Sequence, residues 1–154
     1  MKLVWLFALA VLLAGCAGPQ GELVSLAEKR LALSPDIAWY KHSKNLPVYD
    51  PVRETTVLQT VMAAGQQQGL HPDTVRRFFA AEMEASRRIQ WAWIEGWRKN
   101  RAPAPERPAL DLGSYVRPQI DEINARQIRA LARGAQPLSI AQLSEIGARF
   151  LPKN

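Results

Sequence analysis

A helix that opens at "HPDTV" carries Val75, Phe79, Glu82, Ser86, Gln90, Trp93 and Trp97 along one stripe. At about 100° per residue these positions fall within roughly 80° of one another, so a carboxylate, a hydroxyl and an amide occupy the middle of an otherwise apolar face. The same anomaly recurs in the neighbouring helices. Leu23, Leu26, Arg30, Leu33, Ile37 and Lys41 share one face of the first helix. In the second, Glu54 shares a face with Val57, Leu58 and Val61, with Asp50 and Arg53 at its edges. Arg53 also sits in the first turn, where the helix dipole disfavours a cation. In the fourth, Arg126 lies beside the stripe Val116, Ile120, Ile123. Each case alone has a bland explanation. Lys and Arg snorkel, Asp50 is a helix cap, Ser86 fills a helix crossing, and Arg30 with Glu54 makes a buried ion pair of little net worth. Together they do not reduce to that. Four cations around one carboxylate cannot neutralise each other, and burying them without an anion is costly. The expectation is a polar cavity inside a bundle, taking a small molecule with at least two negative charges.

The rest of the chain narrows the chemistry. No nucleophile has a base at helical spacing. His42 and His71 lie on different segments without metal-ligand spacing, and both read as surface residues. There is no glycine-rich phosphate loop. A pI near 9.9 and a net charge of +6 call for an anionic partner. Nucleic acid would need the basic residues on an outer face, whereas here they lie on inner ones. No metal, no cofactor and no nucleic acid are therefore expected. Two classes remain: an enzyme that works by positioning and electrostatics, or a binding protein without catalysis.

The elements that must position these residues are helical. Neither the alternation of a strand nor a hairpin dipeptide occurs, and helical periodicity dominates from residue 21 onwards. A first helix covers about 22–45, with a kink or break at Ser34-Pro35. "NLPVYD" (45–50) is a turn, and Asp50-Pro51 opens a second helix that stops at Gly69. The third covers about 72–100, and the Pro-rich segment 101–111 is a loop. A fourth spans about 113–133 and ends at Gly134, and "QPLSIAQLSEIGARFL" supplies a short last helix. The fold class is all-α, a bundle of five to six helices enclosing a polar active-site cavity, with residues 22–154 as a single domain.

The stretches "AEKRLAL", "IAWYKHSKNLPVYDPVRETTVL" and "GLHPDTVRRFFAAEMEASRRIQ" resemble the all-α chorismate mutases, and the single chain with an export signal is similar to their secreted gamma subclass. The resemblance covers about residues 22–133. Its most specific parts are the Arg30–Lys41 spacing, Asp50 with Arg53-Glu54, and Ser86 with Gln90. It implies the Claisen rearrangement of chorismate to prephenate within one molecule. By resemblance, Arg30 and Arg126 hold the substrate carboxylates, assisted by Arg53 and Ser86. Lys41 and Gln90 donate hydrogen bonds to the ether oxygen, where negative charge grows as the C–O bond breaks. Glu54, with the backbone near Asp50, takes the ring hydroxyl. Some relatives carry Glu at the position of Gln90, which must be protonated to donate; Gln donates at every pH. In relatives of another architecture the arginine matched to Arg126 comes from a second subunit, so a homodimer is an alternative, although the downstream helix favours a single-chain site. Glu82 matches no family role and is expected to pair with one of the arginines. The rival reading is a non-catalytic envelope lipoprotein that binds an anionic metabolite or a protein partner.

The N-terminus reads as an address. "MKLVWLFALAVLLAGCAG" has an early Lys, an apolar run and small residues, as in a bacterial secretory signal over residues 1–15. Leu13-Ala14-Gly15-Cys16 resembles a lipobox, with Cys16 lipidated and residues 16–21 a short tether. Ordinary signal-peptidase cleavage, for instance after Ala17, is the alternative. The expected location is the periplasm, with membrane contact only through the lipid anchor at Cys16. Cys16 is the chain's only cysteine, so no intrachain disulfide forms in that oxidising compartment. Removing residues 1–15 takes away one lysine and leaves a net charge of +5.

Overall fold

The computed structural model describes residues 18–153. The secretory signal over 1–15, the lipobox and Cys16 lie outside the described residues. Six α-helices follow in order: α1 (Pro19–Ala32), α2 (Ser34–Ser43), α3 (Pro51–Gln67), α4 (Pro72–Arg98), α5 (Arg117–Ala132) and α6 (Ile140–Ala148). A π-helical turn, Leu112–Val116, leads directly into α5. Among the described residues there is no strand. Helix starts at Pro19, so part of the expected tether 16–21 is already the first turn of α1.

Local chemistry sets the boundaries. Pro35 has no N–H to continue the ladder, and the expected first helix divides at Leu33 into α1 and α2. The Ile37 N–H still reaches the Leu33 carbonyl at 3.1 Å, so the two remain nearly continuous. Asn45 adopts φ 53° and turns the chain out of α2, while the Leu46 N–H closes on the Lys41 carbonyl at 2.8 Å. Asp50 caps α3 by accepting from the Arg53 N–H at 3.0 Å. Gly69 takes φ 79° just beyond α3, and Gly134 takes φ 99° just beyond α5. His71 caps α4, its Nδ1 accepting from the Asp73 N–H. Ser139 and Gln142 form a capping box on α6.

α4 is the central helix, packed against α2, α3 and α6, while α1 lies along α5. The main core gathers Leu23, Leu31, Val75, Phe79, Ile89 and Leu143 from three helices, α1, α4 and α6. Where α3 crosses α4, a Cβ on Gly65 would stand 2.7 Å from Val75 Cγ2, so the close approach requires glycine there. A second cluster joins Ala38, Val48, Ile94, Trp97 and Ala102. Indole N–H groups tie the connecting segments to it. Trp97 donates to the Pro103 carbonyl and Trp39 to the Arg107 carbonyl, both at 3.1 Å. Trp93 donates to the Phe150 carbonyl at 2.7 Å and holds the C-terminal segment. His42 was expected at the surface. It is half-buried, its ring 5.4 Å from Trp97 and 5.9 Å from Trp39, because α2 packs on α4 and lays the face bearing Trp39 and His42 against Trp97.

Candidate functional site

A cavity lies between α1, α2, α3, α4 and the start of α5. Arg30 enters from α1, and Lys41 with Ile37 from α2. Asp50, Arg53 and Glu54 enter from the first turn of α3. Ser86, Arg87 and Gln90 form the α4 wall, with Met83 beside them. Arg117 and Ile120 come from α5, and Leu112 and Val116 from the turn before it. Five cations therefore face two carboxylates, Asp50 and Glu54, across a partly apolar surface. The N-terminus of α3 opens onto this cavity, and its dipole adds to the positive potential there.

Each cation is held differently. Arg30 is 6% exposed, and its Nε donates to Asn124 Oδ1 at 2.9 Å while lying 3.2 Å from Glu82 Oε2. No described residue hydrogen-bonds its two terminal amino groups, which are free for a planar carboxylate. Glu82 is fully buried and also accepts from Gln127 Nε2 at 2.6 Å. Burial raises the Glu82 pKa, against the opposing pull of Arg30 and Gln127. The expected pairing of Glu82 with an arginine is thus made with Arg30. Glu54 instead pairs with Arg87, which also bridges to Glu84. The Lys41 ammonium donates to the Val48 carbonyl, which the turn after α2 folds back over it. Burial lowers its pKa below the usual lysine value; Asp50 and Glu54 oppose this, and Arg117 and Arg87 add to it. Arg53 is 37% exposed and stands 4.0 Å from Asp121. Arg117 has no carboxylate within ion-pair distance among the described residues.

The arrangement differs from the sequence expectation at Arg126. That side chain is not part of the cavity wall: it pairs with Glu22 of α1 at 3.5 Å, next to the Arg133–Glu22 pair. The reason is helical phase. The inward stripe of α5 runs through Ile120, Asn124, Gln127, Ile128 and Leu131, so two amides are buried where a polar surface is the natural reading. Arg126 is rotated off that stripe. Arg117 and Arg87 take places on the wall that the sequence did not assign. The pair Arg117-Pro118 carried a signal, since proline at the second position of a helix marks Arg117 as its start. Arg87 lies one position after Ser86 and carried none.

Residues 21–91 match the chorismate mutase type II family. A monofunctional chorismate mutase of Enterobacter agglomerans is 32% identical over 131 residues, covering 85% of this chain and 69% of the relative. A secreted chorismate mutase of Yersinia pestis is 25% identical over 125 residues, covering 81% of this chain and 66% of that protein. The matched stretch is thus about two thirds of each relative's length. The crystal structure of a chorismate mutase from Burkholderia thailandensis superposes with a TM-score of 0.71 at 37% identity, over 75% of this chain and 72% of that one.

Proposed function

The chain belongs to the chorismate mutase family, and we propose that its cavity rearranges chorismate to prephenate by restraint and electrostatics alone. One observation carries the reading: an excess of fixed cations is held around a small, partly apolar space with Lys41 and Gln90 inside it. Chorismate is a dicarboxylate, so it supplies the missing charge. Arg30, Arg53 and Arg117 grip its carboxylates, with Arg117 in the place expected of Arg126. Gripping both carboxylates holds the diaxial conformer, in which the two reacting carbons face each other. Lys41 and Gln90 donate to the ether oxygen as it gains charge, in a cavity that need not reorganise. Glu54 and the backbone near Asp50 receive the ring hydroxyl, and Arg87 fixes Glu54 in position. The chemistry needs neither proton transfer nor a covalent intermediate.

The test is direct. Purified residues 17–154, mixed with chorismate and no cofactor, should abolish its absorbance and yield prephenate. Lys41→Ala should lower kcat by about 10²–10³-fold, the scale of a lost oxyanion donor. Chorismate that binds but persists would establish the rival, a binding protein.

Export rests on the character of residues 1–15 and on relatives named as secreted. The finer reading is a lipoprotein held at a membrane by Cys16. Cys16→Ala should move the protein from the membrane fraction to the soluble one without changing kcat; retention in the membrane would refute the anchor.

A further inference from the structure

Three polar side chains form a line at the α2–α4 crossing. Ser34 is fully buried at the start of α2, and its Oγ lies 2.8 Å from Ser86 Oγ. Ser86 Oγ lies 3.1 Å from the terminal amide of Gln90. With Nε2 turned toward Ser86, the Gln90 Oε1 is buried and has no partner. That arrangement also wastes a proton. Each serine owns one O–H, and Ser86 accepts from the amide, so one of the two hydroxyl protons has nowhere to go among these groups. Rotating the amide by 180° gives both hydroxyl protons and Oε1 a partner and moves the unmatched group to Nε2. Ser34 then donates to Ser86, Ser86 donates to Gln90 Oε1, and only Nε2 is left over.

We infer that Ser34 is a positioning residue: acting through Ser86, it turns the Gln90 amide so that its N–H donors are left for the substrate. The inference rests on the chorismate mutase reading, because an ether oxygen can only accept and the group meeting it must donate. It also changes what Ser86 does. Its proton is committed to the amide and not to a substrate carboxylate. Ser34 itself is absent from the cavity wall and touches no substrate.

Kinetics of Ser34→Ala, Gln90→Ala and the double variant test this. Ser34→Ala should lower kcat about three- to tenfold, the size of one hydrogen bond, with KM within about twofold of wild type. In the Gln90→Ala background the same substitution should change kcat by less than about twofold, because the group it positions is gone. Ser34→Cys, similar in size but a weaker donor, should fall between Ser and Ala and carries the test if Ser34→Ala does not fold. An unchanged kcat in Ser34→Ala or Ser34→Cys overturns the proposal. So does an equal loss with and without Gln90, or a loss confined to KM. A wild-type protein that leaves chorismate unchanged would sink the functional reading instead, which separates the two failures.

Discussion

Lys41 is the single ammonium among the cations of the cavity wall, and so the one that can lose its charge at accessible pH. Burial has already lowered its pKa. As a donor it must be protonated, so kcat/KM should hold through neutral pH and fall on the alkaline side, with its midpoint below the ordinary lysine value of 10.5. A bound dianion favours the charged ammonium, so the corresponding limb of kcat should lie at higher pH. Paired profiles for kcat and kcat/KM check both statements. Gln90 does not titrate, so no loss between about pH 6 and 8 should arise from it, whereas Gln90→Glu should lose activity as the introduced carboxyl ionises. The arginines divide by location. Arg117→Ala should reduce kcat/KM by about 10–100-fold, the cost of one charge-assisted hydrogen bond to a carboxylate. Arg126→Ala removes a half-exposed pair with Glu22, and activity should stay within about threefold of wild type. Equal losses in the two variants would contradict the assignment. Why the sequence pointed to Arg126 is plain at this scale. Asn124 and Gln127 look like solvent-facing residues, and only the presence of Arg30 and Glu82 opposite them makes them interior.

The helices themselves were legible because their ends are written locally. Asp50-Pro51, Gly69, His71-Pro72 and Gly134 mark boundaries that depend on a few neighbouring residues, and the structure places helix ends beside each. Arg30, Lys41, Arg53, Glu54, Ser86 and Gln90 could be grouped on inward faces for the same reason, since each face follows from the period of its own helix. Crossings were not legible. Ser34 matters only because α2 lays it against Ser86 of α4, and the role of Trp39 and Trp97 depends on where the 101–111 loop returns. The α3–α4 crossing gives a stability test. Alanine normally improves a helix interior by up to about 1 kcal/mol over glycine. At Gly65 the new methyl would meet Val75, a stiff, fully buried side chain. Overpacking of this kind costs about 1–3 kcal/mol and should outweigh the gain. Gly65→Ala should therefore lower Tm, and adding Val75→Ala should cost less than the sum of the two single changes. A Tm raised by Gly65→Ala would show that the helices separate easily.

At the scale of the molecule, stability comes from packing, since no cysteine lies within the described residues. The polar centre is tolerated because its charges are engaged in layers: Glu82 and Asn124 behind Arg30, Arg87 behind Glu54, and the Val48 carbonyl on Lys41. What they leave unmatched is a surplus of positive charge, which should draw in a dianion faster at low salt, so kcat/KM should fall as ionic strength rises. On the proposed reading, Arg117 of this chain supplies the guanidinium that other architectures borrow from a second subunit. Turnover per molecule should therefore be the same at nanomolar as at micromolar protein, and a decline on dilution would reveal a borrowed wall. Constant turnover on dilution would mean that a lone copy, however sparse its company, needs no twin to be a finished machine.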